Sequence, residues 1–79
     1  MISQRFRIKR PLIVLLEIDG LYTTRFSATG DVVTVTNGPL DGTRMVEVQW
    51  KSDTGIKTGL MFTMELRQHA ELVPETANG

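Results

Sequence analysis

Turn-forming residues cut this chain into short extended runs, and that punctuation is the strongest constraint on its fold. Asp19-Gly20 lies between two apolar stretches, 12–18 and 21–27. An Asp-Gly pair in that setting predicts a two-residue hairpin, because both central residues of such a turn take positive φ. Thr29-Gly30-Asp31 and Ser52-Asp53-Thr54-Gly55 mark two further turns, and 37–42 combines two turn signatures with Pro39 and reads as a loop.

The runs between the turns carry strand signals. Residues 5–9 alternate charged and apolar side chains, with Phe6 and Ile8 facing inward, which is the period of a half-buried strand. Pro11 lacks a backbone N–H and interrupts pairing or starts a strand. Residues 32–36 are rich in β-branched side chains. Val46, Val48 and Trp50 share one face of the next run, and Ile56, Thr58, Leu60 and Phe62 share a face of the one after it. Residues 64–68 are the one stretch suited to a helical turn, and 70–73 read as a last strand before Pro74. Strands thus begin about every 9 to 13 residues, and no segment keeps a helical apolar period. The expected fold is all-β: a small SH3-like barrel of five to six short antiparallel strands, closed to remove exposed edges. An OB-fold fits less well, because it usually carries a real helix between its strands.

At 79 residues the chain is expected to form one domain over 1–74, with a disordered tail at 75–79. Nine basic and nine acidic residues leave no net charge, so no global field steers it to nucleic acid or membrane. The absence of cysteine removes disulfides, thiolate catalysis and Cys-based metal sites. Near the start, Arg5, Arg7, Lys9 and Arg10 precede an apolar run, as in a secretory signal. Glu17 and Asp19 end that run early and no small-residue cleavage site follows, so the expected location is cytoplasmic.

The hairpin registers suggest where contacts lie. With Ser52 to Gly55 as the tip and Trp50 opposite Ile56, Val46 faces Leu60 on the inner side and Met45 faces Met61 on the outer side. Two adjacent methionines on a solvent face suggest a contact surface. Around Asp19-Gly20, Ile13, Leu15, Tyr22 and Phe26 fall on one face, and Leu12, Val14, Leu16, Ile18 and Leu21 on the other. Both faces of this strand are apolar, so either the chain covers both or one is an interface. Leu12, Val14, Leu16, Met45 and Met61 are the expected interface residues, with a second copy or an unknown protein as partner.

Catalytic constellations are weak. His69 is the only histidine, and Glu65 four residues earlier gives at most a second ligand. Ser3, Ser27 and Ser52 have no spacing that argues for a triad with His69. Asp19, Asp31, Asp41 and Asp53 all lie in turn signatures, where Asp bonds its own backbone. The expectation is a non-enzymatic binding or assembly module without cofactor or metal. The alternative is a nucleic-acid-binding barrel in which Arg5, Arg7, Lys9, Arg10 and Arg25 track phosphates beside Tyr22. Trp50 and Phe62 share faces with aliphatic residues and read as core.

Gly30-Asp31-Val32-Val33, the Val46-Glu47-Val48-Gln49-Trp50 strand after a long loop, and the Phe62 to Leu66 turn together resemble an SH3-like barrel pattern. The chain as a whole, most of all Arg7-Ile8-Lys9-Arg10-Pro11 and Met61-Phe62, resembles small uncharacterised bacterial proteins of this length, a resemblance that implies the fold and no activity. Plasmid-borne trimethoprim-resistant dihydrofolate reductases share this size and fold and carry a Val-Gln-Ile-Tyr run. Val48-Gln49-Trp50-Lys51 departs from it at the third and fourth positions.

Overall fold

The computed structural model describes residues 2–40 and 42–74. Asp41 and the expected tail at 75–79 lie outside the described residues. The chain is all-β with one short helix. Its strands are β1 (Arg5–Ile8), β2 (Ile13–Ile18), β3 (Leu21–Phe26), β4 (Val32–Leu40), β5 (Met45–Ser52), β6 (Gly55–Phe62) and β7 (Ala70–Val73), with α1 (Thr63–His69) between β6 and β7. All pairings are antiparallel, in the order β3-β2-β6-β5-β4-β1-β7.

Two expectations change here. Among the described residues there are seven strands rather than five or six, and the barrel is not closed: β3 and β7 remain as separate edges. The sheet instead coils, so that Phe6 and Ile8 of β1, Leu12 beside β2 and Val14 on it, Val33 and Val35 of β4, and Val46 and Val48 of β5 meet in one core cluster. Leu66 enters that cluster from α1, whose two turns exceed the single turn expected from the sequence. The helix ends where the Ala70 N–H donates to the Leu66 carbonyl, and the Lys9 N–H donates to the His69 carbonyl (3.0 Å), tying it to β1. No described helix is long and apolar enough to cross a membrane.

The β2–β3 hairpin forms as its sequence predicts. Asp19 and Gly20 take φ of 53° and 82°, and Ile18 pairs with Leu21. Residues 37–40, by contrast, belong to β4 and not to a loop. The strand runs through Gly38-Pro39 by shifting register twice, between Val35 and Asn37 and between Asn37 and Leu40. Such irregularities let a residue without an N–H sit in a strand without breaking its neighbours' pairing.

The β5–β6 tip is one residue off the expected register. Ser52 pairs with Gly55, so Trp50 faces Lys57, Val46 faces Met61 and Met45 faces Phe62. Ser52 closes the turn by donating to the Gly55 carbonyl (2.9 Å) and accepting from the Thr54 N–H (3.3 Å). A one-residue slip turns every side chain of a strand to the other face. Met61 therefore points inward, and Leu60 and Phe62 point outward.

Candidate interaction surfaces

The expected interface residues are core. Met61 is 0% exposed and Met45 6%, while Leu12 and Val14 are buried and Leu16 is half-buried against the central cluster. For Met61 the cause is the register just described. Met45 stands between Leu40 and Phe62 in the neighbouring strands and is covered although it lies on the outer side. For Leu12, Val14 and Leu16 the division into faces agrees with the sequence, and the face they share is the covered one. Gly59 on β6 explains why this one is buried: a Cβ there would lie 2.8 Å from Val14 Cγ2 and 2.9 Å from the Leu15 carbonyl oxygen. The missing side chain lets β2 close onto β6 through the pairs Leu15–Leu60 and Leu16–Gly59.

The opposite face of the same strands is the exposed one. Ile13 pairs with Phe26, Leu15 with Leu60 on β6, and Glu17 with Tyr22. Tyr22 is 59% exposed and Phe26 69%, far above what an isolated core aromatic shows. Leu15, Leu60 and the Gly59 backbone floor a shallow depression of about 350 Å³ walled by Glu17, Glu47 and Tyr22. Glu47 Oε1 accepts from the Thr36 hydroxyl (2.9 Å), which fixes that wall. Phe62 also belongs to this side and is exposed, against the expectation that it is core. The sequence groups Ile13, Leu15, Tyr22 and Phe26 on one face, as found, but it does not show that this face is exposed, and it places Leu60 on the inner side.

The basic residues do not form one surface. Arg5 and Arg7 share the exposed face of β1, beside Thr34 and Val32 of β4 and Val73 and Glu71 of β7. Lys9 and Arg10 follow on exposed positions, and Lys9 Nζ meets Glu71 Oε2 at 2.8 Å. That hydrogen bond and the charge of Lys9 hold the Glu71 carboxyl below the usual carboxylate range, helped by Arg7. Tyr22 and Arg25 lie on β3, separated from β1 by four strands in the sheet order, and point to opposite faces of it. Arg25 spends its guanidinium on the Thr24 carbonyl (3.1 Å). No aromatic is paired beside Arg5 or Arg7 to stack a base.

The polar constellations weighed for chemistry are resolved as follows. His69 Nε2 and Glu65 Oε2 approach to 3.8 Å across one turn of α1, and among the described residues no third ligand-type group joins them. Asp31 Oδ2 accepts from the Ala28 N–H (3.0 Å) within its own turn, and Ser27 Oγ accepts from the Leu12 N–H (3.1 Å) across the open end of the β2–β3 hairpin. Comparison with protein-family models, with curated proteins and with solved structures finds no match to this chain.

Proposed function

We propose that this domain is a non-enzymatic binding or assembly module that makes protein contacts through the outer face of β3, β2 and β6. The observation that carries the reading is the row of exposed Phe26–Ile13 and Tyr22–Glu17 beside the half-buried pair Leu15–Leu60, on a face whose reverse side is the core. Exposed apolar groups that adjoin one another, rimmed by carboxylates, are the composition of a contact patch rather than of a solvated sheet. Tyr and Phe supply contact area with few rotatable bonds to immobilise.

The test is a photoreactive phenylalanine analogue placed at Phe26 in the intact chain and irradiated in its native cells. Protein adducts of discrete mass support the reading. Adducts to nucleic acid, or none above those formed by the same analogue at exposed Asp53, count against it.

The second reading, a nucleic-acid module, draws on the exposed positions of Arg5, Arg7, Lys9 and Arg10. Phosphate contacts release counterions, so binding of short DNA or RNA would weaken steeply as salt rises. The Lys9–Glu71 pair and the separation of Tyr22 and Arg25 from β1 make it the weaker of the two.

A further inference from the structure

The two edges of the sheet are treated differently. The β7 edge is four residues long, carries Glu71 in an ion pair with Lys9 and stops at Pro74. Short length, charge and proline are the devices that keep an edge from pairing with another chain. The β3 edge has none of them but one charge, Arg25, over six residues, and no bulge. Five of the ten exposed large hydrophobics among the described residues (Ile13, Ile18, Leu21, Tyr22 and Phe26) sit on the β2–β3 hairpin.

Pairing parity says which backbone groups that edge offers. Antiparallel partners alternate between pairs that exchange both hydrogen bonds and pairs that exchange none. The Ser27 N–H donates to the Leu12 carbonyl (2.8 Å), which makes 12–27 an exchanging pair. Alternation then makes 14–25, 16–23 and 18–21 exchanging pairs, in agreement with the two-residue turn at Asp19-Gly20. Tyr22, Thr24 and Phe26 lie in the non-exchanging pairs, so their N–H and C=O groups point away from β2 to the open side, where the Thr24 carbonyl accepts from its own Arg25 guanidinium (3.1 Å) and keeps a second lone pair for a partner strand.

We infer that β3 pairs antiparallel with β3 of a second copy across a two-fold axis at Thr24, joining the two sheets into one; the inference rests on the contact-module reading above. In the register that uses every outward group, Tyr22 faces the second copy's Phe26, Thr24 faces its counterpart, and Phe26 faces Tyr22, with about six main-chain hydrogen bonds. Each aromatic meets an aromatic on the outer face, one of the cross-strand combinations that stabilise sheets. Arg25 falls opposite Thr23, so no like charges meet, whereas a shift by two residues in sum would set Arg25 against Arg25. A chain of zero net charge meets no long-range repulsion from its copy. At their exposure, Tyr22 and Phe26 each offer on the order of 100–150 Å². In an edge-to-edge pairing they cover only their facing flanks, so main-chain hydrogen bonds and aromatic pairs, and not a large buried area, hold the two copies together.

The experiment is sedimentation equilibrium on the full chain, alone and as Thr24→Pro, with oxidative cross-linking of Thr24→Cys and Tyr22→Cys. Proline at 24 removes an outward N–H and leaves the exchanging pairs with β2 intact. The wild-type chain should dimerise as concentration rises, and Thr24→Pro should raise the dimer Kd at least about tenfold with its melting temperature little changed. With no native cysteine to interfere, Thr24→Cys should form a disulfide dimer, since facing Cα atoms in an exchanging pair lie about 5.5 Å apart. Tyr22→Cys should not, because its two copies are four positions apart, about 13 Å. A dimer that survives Thr24→Pro and cross-links equally at both positions overturns the strand pairing while leaving face-to-face association intact. A monomer at every concentration, with no Thr24→Cys cross-link, overturns the second copy as partner. That result does not touch the contact-module reading, which falls if the Phe26 photoadducts are missing or are to nucleic acid. If Thr24→Pro fails to fold, the cysteine pair alone decides.

Discussion

Met61 and Tyr22 stand in opposite side-chain environments in this sheet, one buried and one exposed, and the same substitution distinguishes them. Met61 has no solvent contact and packs against Val46 across the strand pair. A lysine there would bury an unpaired ammonium, at a penalty of several kcal/mol. A domain of this length holds about 4–12 kcal/mol in total. Met61→Lys should therefore abolish the cooperative thermal transition seen by circular dichroism, whereas Tyr22→Lys should shift it by no more than a few degrees; equal melting of the two variants would contradict the assigned faces. Glu71 supplies a gentler probe. Its carboxyl is held low by the Lys9 hydrogen bond, so the contribution is present above the unfolded carboxylate range and is lost as pH falls through the folded value. Carbon-detected NMR titration should place its midpoint below that of a free Glu, and Lys9→Met should move the midpoint up. An unmoved midpoint would mean that the pair does not persist in solution.

At the scale of elements, the placement of β2 depends on a residue that contributes no side chain. Gly59→Ala would set a Cβ within 3 Å of both Val14 Cγ2 and the Leu15 carbonyl oxygen, and the latter is backbone that cannot turn aside. The expected loss is about 1–3 kcal/mol, with amide protection falling first around Leu15 and Leu16; a variant as stable as the parent would show that β2 and β6 are not in this close register. Gly59 also explains what the sequence concealed. The inward side of β6 offers Lys57, Gly59 and Met61, and the outward side Ile56, Leu60 and Phe62, so counting apolar residues favours the wrong face. The Asp19-Gly20 turn was legible because its two residues themselves carry the positive φ that fixes the register. At the Ser52 to Gly55 tip the positive φ falls on Gly55, a residue of the closing pair and not of the two-residue loop, and a slip of one residue there inverts the faces of a whole strand. Likewise Pro39 and two turn signatures suggested a loop, where register shifts keep β4 continuous to Leu40.

For the molecule as a whole, strand number and edge treatment matter more than any single site. Alternation and turn spacing were enough to reveal an all-β domain, with Phe6, Ile8, Val46 and Val48 in its core. Closure was not legible, because whether a seventh strand seals a barrel depends on long-range register that local patterns do not carry. The open sheet leaves the guarded β7 edge and the unguarded β3 edge, and the outer apolar face ends at the latter. Amide hydrogen exchange across a range of protein concentrations tests this arrangement most directly. Thr23 and Arg25, bonded to β2, should exchange slowly at all concentrations. Tyr22, Thr24 and Phe26 should exchange nearly as fast as in an unstructured peptide when dilute, and become protected as the chain is concentrated. Exchange at those three that stays fast at every concentration would contradict the pairing of β3 with a second copy, and protection that is already full at high dilution in a monomer would contradict the open edge itself.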